Sequence, residues 1–393
     1  MRDYKLILII FGSLALIGIS LLGFYLPEPP SHGSGNLNVA EALGGGDVSG
    51  YARALEPRLF SFPQDHADHP EFRNEWWYFT GNLQTPSGRP FGFQVTLFRN
   101  SLVPELPEHS GSPWRTNQLY MGHLALSDIH EDRFYHAERF QRAALGLAGT
   151  ESNPLKIWLD DWEIKGVNSD PMRWVLLAKT EEFGIKLDVT PSKPLVLQGN
   201  QGLSQKGKEP GNASYYYSFT RMSVSGEVFT PQGTYDITGS SWLDREWSTS
   251  VLESNQVGWD WFALQLNDGT DLMYYQLRDK SGKPDEQSSG KLVKPNGESR
   301  NLIFEEVALK VIEFWKSPNS GTSYPAGWTL KLPSENLELE IAPRMSDQEL
   351  QTTVSYWEGS VSVQGTQNGK PIQGVGYVEM TGYSQLMNSI DGS

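Results

Sequence analysis

The sequence predicts an all-β fold made of two similar units. Apolar residues recur with a period of two far more often than with a period of 3.6, and Gly, Pro, Asn and Asp bound the alternating segments. The clearest strand patterns lie at 91–99, 215–229, 272–278, 337–343 and 359–365. Helix patterns are few, and 346–351 is the best candidate for a short helix.

An internal repeat indicates the two units. WYFTGNLQTPSGRPFGFQVTLFR (77–99) aligns with WFALQLNDGTDLMYYQLR (261–278) as an aromatic-led strand, a turn containing Gly and a second strand. Later in the same order, ITGSSWLD (237–244) aligns with IQGVGYVE (372–379). We therefore predict a duplicated unit, each copy a barrel or sandwich of short antiparallel strands with a ligand-sized interior.

The N-terminal residues are typical of a membrane anchor. Residues 6–26 carry no charge and match the roughly 20 apolar residues that span a bilayer, more than the core of an ordinary signal peptide. Arg2 and Lys5 precede this stretch, so the positive-inside rule predicts that the rest of the chain is exported. We expect a periplasmic protein anchored to the inner membrane by residues 6–26, or alternatively a protein secreted after cleavage.

The predicted chain has five parts. Residues 1–26 form the signal anchor or signal peptide, and 27–50, rich in Pro, Gly and Ser, form a flexible linker. The repeat predicts an N-terminal β domain at 51–253 and a C-terminal β domain at 254–385, and a tail at 386–393 follows.

Composition argues against several classes of function. The 393 residues contain 32 Lys and Arg against 47 Asp and Glu, a formal charge of -15, and no basic run follows the N-terminus, so we expect no nucleic-acid partner. The chain has no Cys, which excludes disulfides and thiolate metal sites. It also lacks the Gly-x-Gly-x-x-Gly, Walker and Gly-x-Ser-x-Gly motifs, and we expect no cofactor.

One loop carries potential metal ligands. Asp65, His66, Asp68 and His69 lie close together in PQDHADHP. His and Asp at such spacing in a Pro-flanked loop more often form hydrogen bonds within a turn. We therefore predict no metal site.

Strand alternation brings two acids to one face near the end of the first unit. In the SSWLDREW motif, Trp242, Asp244 and Glu246 share a face, and Arg245 and Trp247 lie opposite. If buried, two carboxylates about 7 Å apart beside an indole raise each other's pKa by desolvation and repulsion. Such a carboxyl can act as a general acid near neutral pH, so we predict Asp244 and Glu246 as catalytic acid and base.

The two aromatic-rich strands contain further candidates. Asp260 heads an apolar face in GWDWFALQL and is the third predicted catalytic residue, while Glu75 shares a face with Trp77 in NEWWYFTGNL. The alternative for each acid is a structural bond to backbone amides or to an arginine such as Arg73 or Arg245. The predicted ligand-binding residues are Glu75, Trp76, Trp77, Tyr78, Trp242, Arg245, Trp247, Trp259 and Trp261.

Five segments together resemble a known family. LFSFPQDHADHPEFRNEWWYFTGNL, SSWLDREWS, GWDWFALQLNDGT, YWEGSVSVQG and GVGYVEMTGY are similar to the AttH-like, carotenoid 1,2-hydratase (hydroxyneurosporene synthase) family of lipocalin-like proteins, from about Arg53 to Tyr383. The resemblance implies two lipocalin-like β-barrel domains packed together, with an apolar cavity in a barrel or between them. It also implies a bacterial exported protein of the secreted-hydrolase type associated with ABC transporters. Other members hydrate isolated alkenes or direct polyene cyclisations.

The chemistry of alkene hydration suits these residues. Protonating an unactivated alkene creates a carbocation, which requires a protonated carboxylic acid in an apolar pocket and aromatic faces around it. One departure from the resemblance affects this reading, because carotenoid hydratases carry a histidine after the aspartate of the motif, where this chain has Arg245 and Glu246. An arginine beside the acid would lower its pKa, but alternation sends Arg245 to the other face.

We expect a protein that binds an apolar or amphipathic small molecule such as a lipid, isoprenoid or polyketide. It hydrates, isomerises or hydrolyses this ligand, or alternatively it is a non-catalytic carrier or accessory protein of an ABC transporter. An enzyme predicts carboxylates in the cavity wall, whereas a carrier predicts apolar walls with polar groups only at the mouth. In a third, purely structural interpretation the aromatic residues close the barrels and nothing binds.

Overall fold

The structure is a computed structural model that describes residues 48–105, 111–167, 172–250 and 252–384. These residues form two curled antiparallel sheets, so the all-β prediction is confirmed. The predicted anchor at 6–26 and the tail at 386–393 lie outside the described residues. In the part of the chain that the structure describes, a helix with the length and apolar character needed to span a bilayer is absent.

The first sheet contains 13 strands between residues 74 and 248. They are β1 (Asn74–Gln84), β2 (Pro90–Ser101), β3 (Gln118–Asp128), β4 (Arg133–Arg142), β5 (Ala148–Ser152), β6 (Leu155–Leu159), β7 (Trp162–Val167), β8 (Arg173–Lys179), β9 (Gly184–Pro191), β10 (Val196–Leu197), β11 (Leu203–Gln205), β12 (Ala213–Thr230) and β13 (Gly233–Ser248). A 3-10 turn at Gln64–His66 precedes them.

The second sheet contains 10 strands between residues 256 and 380. They are β14 (Gln256–Leu266), β15 (Asp271–Asp279), β16 (Ser289–Val293), β17 (Ser299–Ile303), β18 (Ala308–Lys316), β19 (Ser323–Leu332), β20 (Leu337–Pro343), β21 (Glu349–Leu350), β22 (Tyr356–Gln367) and β23 (Lys370–Met380). Two 3-10 turns, Phe304–Glu306 and Pro333–Glu335, lie between strands.

The first sheet curls almost into a barrel. Its strand order is β4-β3-β2-β1-β13-β12-β9-β8-β7-β6-β5, with β10 and β11 paired to β12. Near one edge, β6 packs against β2, β3 and β4 from the opposite end of the sheet. The second sheet has the order β17-β16-β15-β14-β23-β22-β20-β19-β18, with β21 paired to β22, and forms a half-barrel.

The repeated segments occupy matching places in the two sheets. The order β2-β1-β13-β12 in the first sheet corresponds to β15-β14-β23-β22 in the second. The alignment of residues 77–99 with residues 261–278 is nevertheless shifted by one residue from the structural correspondence. It equates Trp77, which is buried inside the first sheet, with Trp261, which faces the first sheet from the second. A shift of one residue in a strand moves a side chain to the other face.

The five predicted strands are confirmed, but the predicted helix at 346–351 is wrong. Glu349–Leu350 forms the short strand β21 and pairs with Trp357 and Tyr356 of β22. The carboxylate of Glu349 also accepts hydrogen bonds from Ser317, Ser320 and Tyr324. These tertiary contacts outweigh the local helix preference of a short segment.

Each sheet has its own apolar core, and a further aromatic cluster lies between the sheets. Tyr78, Tyr216 and Trp242 from the first sheet pack there against Trp261 and Tyr275 from the second. Alternation along β1, β13 and β14 produces this arrangement, because each strand buries one face in its own sheet and turns the other toward the partner sheet. The interface between the sheets is therefore lined by aromatic residues from the strand motifs identified in the sequence, such as Tyr78, Trp242 and Trp261.

Candidate active site

A cavity lies between the two sheets. Strands β1, β2, β3, β12 and β13 face β14, β15, β22 and β23 across it, and the centre of a water molecule can move through about 100 Å³ of its space. Its charged and hydroxyl-bearing lining residues include His123, Lys206, Asp244, Glu246, Glu379, Tyr78, Tyr216, Tyr275 and Tyr356. Its apolar lining includes Trp76, Phe98, Met121, Leu252, Trp259, Trp261, Leu277 and Val354.

One end of the cavity lies nearest to solvent. Trp76, Phe98, Leu252 and Trp259 pack together around Val354, and these four residues are only half-buried. The opposite wall, formed by residues such as Tyr216 and Asp244, is almost fully buried. The outer end of the cavity is thus apolar, and its buried wall combines carboxyl and hydroxyl groups with aromatic rings.

Asp244 is a buried carboxyl held by three donors. The Tyr216 hydroxyl donates to its Oδ2 at 2.5 Å, and Ser218 and Trp242 donate to its Oδ1 at 2.5 and 2.7 Å. Burial raises the pKa of Asp244 to about 7, although the three donors oppose this shift. Asp244 therefore exchanges a proton near neutral pH.

Glu379 faces the cavity from the second sheet. Trp259 Nε1 donates to its Oε2 at 3.1 Å. Burial, with repulsion from Asp244 and Glu246, raises the pKa of Glu379 to about 7 against the effect of that one donor. Two carboxyls from opposite sheets thus share the same titration range in one cavity.

Glu246 differs from its neighbours because it has a cation beside it. Its Oε1 lies 3.2 Å from the Nζ of Lys206, which also lies over the Tyr275 ring at 4.1 Å. Burial lowers the pKa of Lys206, but attraction to Glu246 outweighs burial and the net pKa is raised. Lys206 and Glu246 therefore form an ion pair at the cavity wall.

Glu358 lies behind Tyr78 at the edge of the cavity. The Tyr78 hydroxyl donates to its Oε1, and its Oε2 has no hydrogen-bond partner among the described residues. Burial, followed by repulsion from Glu379, raises the pKa of Glu358 well above its ordinary value. Glu358 on β22 stands directly opposite Glu379 on β23, so the two side chains are neighbours on one face.

Half of the predicted site residues line this cavity. The SSWLDREW motif turns Asp244 and Glu246 toward it, as alternation predicts, and Trp242 supports Asp244 from behind. The other predicted residues in the lining are Trp76, Tyr78, Trp259 and Trp261. Tyr78 and Trp261 contact each other edge to face, with ring centroids 5.1 Å apart.

Four predicted ligand-binding residues lie elsewhere, inside the first sheet. Glu75 is fully buried and forms ion pairs with Arg99 and Arg245. Arg245 lies over the Trp77 ring at 4.0 Å, and Trp247 stacks on His69 at 3.8 Å. Burial raises the pKa of Glu75, but the two arginines outweigh it and the net pKa is well below the ordinary value. This cluster matches the structural alternative for Glu75.

The position of Arg245 also bears on Asp244. Because Arg245 points into the first sheet toward Glu75, its charge is directed away from the cavity face on which Asp244 lies. The pKa of Asp244 is raised rather than lowered, mainly by burial. An arginine next to the acid in sequence is thus compatible with a protonated acid.

Asp260 lies outside the cavity lining, on the inner face of the second sheet. Its Oδ1 is 3.3 Å from Arg278 Nε, and Tyr383 donates to its Oδ2 at 3.1 Å. Burial raises its pKa, and Arg278 and Tyr383 oppose the shift. A catalytic role for Asp260 stays a prediction that this cavity does not support.

The loop with potential metal ligands forms internal hydrogen bonds. Asp65 contacts His69 Nε2 at 3.0 Å and Arg58 at 2.9 Å, and His66 Nδ1 contacts the Tyr217 hydroxyl at 2.6 Å. The Asp65–His69 contact lies within the turn, as the alternative for this loop predicts, whereas the His66–Tyr217 contact ties the loop to β12.

Sequence reasoning missed Glu358, Glu379, Lys206, His123 and Tyr356. The repeat aligns Glu379 with Asp244, and this correspondence could have identified Glu379 as a second acid. His123 and Lys206 lie far apart in sequence, in segments without a motif. Only the packing of the two sheets brings them to one cavity.

The two carboxyls predict a pH-dependent stability. Asp244 and Glu379 lose their protons near pH 4 in the unfolded chain but only at about pH 7 in the fold, so the folded state binds more protons between these values. Their contribution to the free energy of unfolding is complete below about pH 4 and is lost as the pH rises through about 7. Between these pH values, the free energy of unfolding should fall by about 4 kcal/mol less in Asp244→Asn than in the unchanged protein. Urea unfolding at several pH values measures this difference. An unchanged pH dependence in the variant would contradict the raised pKa.

Comparisons with known proteins agree on one family. A family model described as AttH-like matches residues 53–383. A crystal structure assigned as an AttH from Nitrosomonas europaea has a TM-score of 0.74 and 36% identity, covering 84% of this chain and 99% of that chain. Kievitone hydratase from Fusarium solani subsp. phaseoli is 23% identical over 251 residues, 61% of this chain and 69% of that protein. The crystal structure of kievitone hydratase from Nectria haematococca shares the fold, with a TM-score of 0.62 and 15% identity over 84% of this chain and 95% of that chain.

Proposed function

Since this chain belongs to the AttH-like family, we propose that it is a cofactor-independent hydratase that adds water to an alkene of an apolar small molecule. The observation that carries the proposal is the pair Asp244 and Glu379, which face one aromatic cavity from opposite sheets and both have a pKa raised to about 7. Asp244 is almost fully buried and Glu379 is half-buried. Similarity to a protein named as a hydratase supports the reaction class.

Glu379 is the better proton donor of the pair. It has one hydrogen-bond donor, whereas three donors stabilise the ionised form of Asp244. In the proposed mechanism, a pair that holds one proton carries it on Glu379. Its transfer to an alkene carbon breaks the carboxyl O–H bond, uses the π electrons to form a C–H bond and leaves a cation on the neighbouring carbon.

Asp244 then acts as the base. A water molecule attacks the cation while the Asp244 carboxylate takes one of its protons, so that the product is an alcohol. After this step Asp244 is protonated and Glu379 is ionised. One proton must return to Glu379 and one must leave Asp244 before the next turnover.

The aromatic walls stabilise the intermediate cation. Trp259 and Trp261 from the second sheet and Trp76 and Tyr78 from the first present rings to the cavity. The electron-rich face of each ring attracts a cation, and the attraction is stronger away from water. The apolar outer end, formed by residues such as Phe98, suits a substrate whose remaining part is hydrocarbon.

Carboxyl groups in the cavity wall favour an enzyme over a carrier. A carrier needs an apolar wall, and burying Asp244 and Glu246 beside the half-buried Glu379 in one cavity costs stability that simple binding does not require. The carrier remains the alternative, with the same cavity receiving the ligand and an ABC transporter as partner.

Isotope incorporation tests the hydratase directly. We expect the purified full-length protein, incubated with a panel of isoprenoid and prenylated compounds in oxygen-18 water, to yield a tertiary alcohol that contains one labelled oxygen. Mass spectrometry of the products measures this incorporation, and boiled protein is the control. Compounds that co-purify with the protein but never change in mass would support the carrier. A labelled carboxylic acid with loss of a fragment would indicate a hydrolase.

We also propose that the two curled sheets, a near-barrel and a half-barrel, are lipocalin-like and that the protein is exported. The apolar segment at 6–26 would hold the two sheets at the outer face of the inner membrane, where an apolar ligand can partition from the bilayer. Fractionation of cells that express the full chain tests this location.

A further inference from the structure

A chain of polar side chains leads from the protein surface to the cavity. Glu138 on β4 accepts a hydrogen bond from His123 Nε2 on β3 at 3.0 Å, and His123 Nδ1 lies 2.7 Å from the Tyr356 hydroxyl on β22. His123 and Tyr356 both line the cavity and are almost fully buried. The side chain of Glu138 is 16% exposed, so the outer end of this chain meets solvent.

The partners fix where the protons lie. A carboxylate has only acceptors, so Glu138 takes the Nε2 proton of His123. Nδ1 of the neutral ring then carries no proton, and it accepts a hydrogen bond from the Tyr356 hydroxyl. Burial raises the pKa of Glu138, but the hydrogen bonds from His123 and Thr353 outweigh it, and its pKa is lowered overall.

Glu358 continues the chain on the inner side. Tyr356 and Glu358 are two residues apart on β22, so their side chains share a face, and they are close enough that each affects the pKa of the other. The Oε2 of Glu358 has no hydrogen-bond partner among the described residues and can exchange a proton. On the neighbouring strand, Glu379 stands directly opposite Glu358.

We propose that Glu138, His123 and Tyr356 form a proton relay between solvent and the Glu358–Glu379 pair. The relay rests on the proposed function for its purpose, because an acid that has given its proton to a substrate must be recharged. An apolar substrate that fills the cavity blocks the direct route for water. The relay reaches the carboxyl pair through side chains of the cavity wall, and its outer residue Glu138 is bound by Thr353, next to Val354.

The transfer is a sequence of single hops that balances. It starts from the state in which solvent has protonated Glu138. The Glu138 hydroxyl then donates to Nε2, so His123 carries its proton on Nδ1, in contrast to the resting arrangement, and Glu358 is ionised. Glu138 gives its proton to Nε2, Nδ1 gives its proton to the Tyr356 oxygen, and that oxygen gives its own proton to Glu358. The ring stays neutral and changes tautomer, and one proton has moved from solvent to the carboxyl pair.

The competing explanation is that these bonds only hold the sheets together. Thr353 donates to Glu138 through its backbone N–H and its hydroxyl, which also links the two sheets. A purely structural network would affect stability when it is broken. It would leave the rate of proton exchange at Glu358 unchanged.

Infrared spectroscopy measures that rate without a substrate. After rapid mixing with D2O, the C=O stretch of a buried carboxylic acid shifts as its proton exchanges, and Glu358→Gln identifies the band. Tyr78 offers a second route through the cavity, so Tyr78→Phe is the background. We expect fast exchange in Tyr78→Phe and exchange slowed by at least about tenfold when Tyr356→Phe is added.

The matched control adds Tyr120→Phe to the same background. The Tyr120 hydroxyl bonds Thr150 at 3.0 Å and its ring lies in the core of the first sheet, so exchange should stay fast. His123→Gln is the second relay variant if the double Phe variant does not fold. Equal exchange in the relay variants and the control would overturn the relay, whatever the enzyme does. Slow exchange in the relay variants, together with a protein that hydrates none of the compounds, would support the relay and contradict the proposed hydratase function.

Discussion

Asp244→Asn is expected to lower turnover by about 10²–10⁴-fold, the usual cost of removing a general acid or base. The amide keeps the size and the hydrogen bonds to Ser218 and Trp242 Nε1 at one oxygen, but it cannot accept a proton from water. Glu379→Gln should lower turnover by a similar factor, because the proposed proton donor is lost. Oxygen-18 incorporation per minute, at saturating substrate, measures both variants.

The substitution Asp260→Asn decides between two readings of the sequence. Asp260 is an equally buried carboxyl with a raised pKa, but it lies with Arg278 and Tyr383 on the inner face of the second sheet. We expect turnover to fall in Asp244→Asn and in Glu379→Gln, and to stay unchanged in Asp260→Asn. Loss of turnover in a folded Asp260→Asn variant, with full turnover in Asp244→Asn, would contradict the cavity as the active site.

Glu75→Ala is expected to lower the free energy of unfolding by about 3–5 kcal/mol, because it leaves Arg99 and Arg245 as charges without a counter-ion in the core. Both arginines are fully buried, so solvent cannot replace the carboxylate. Urea unfolding followed by Trp fluorescence measures the change. Since Trp77 and Trp247 lie next to Arg245, the signal should also report the local rearrangement.

The matched control for Glu75 is Glu163→Ala. Glu163 also contacts two cations, Lys156 and Lys165, but at the surface, where such pairs contribute about 0–1 kcal/mol. Similar losses in Glu75→Ala and Glu163→Ala would show that water reaches the arginines of the inner cluster. A large loss for Glu75 alone would establish that cluster as a structural tie of the first sheet.

The part of the site that alternation controls could be predicted from the sequence. Strand period two correctly separates Asp244 and Glu246 from Arg245 and Trp247, since each side chain takes the face opposite to its neighbour. The same rule assigns Asp260 to an inner face. It does not reveal that the inner face of this sheet is a core and that the outer face is the cavity wall.

The remainder depends on how two curled sheets pack. Lys206 follows a three-residue strand, and His123 comes from β3, which contains none of the motifs that the sequence analysis identified. Their approach to Glu246 and Tyr356 depends on contacts between residues 40 to 233 positions apart. Patterns among neighbouring residues carry no information about contacts between residues so far apart in the sequence. The same limit explains the helix expected at 346–351, where pairing with β22 decides the outcome.

The interface between the sheets has the character of a dimer contained in one chain. The contact of β2 with β22 is mirrored by that of β12 with β15, which are the corresponding strands after exchange of the two sheets. A symmetric pair of identical subunits would present the same carboxyl from each side of such an interface. Fusion into one chain frees the two sides to diverge. Aspartate with three donors on one side and glutamate with one donor on the other can then specialise as base and acid, a division of labour that identical subunits do not permit.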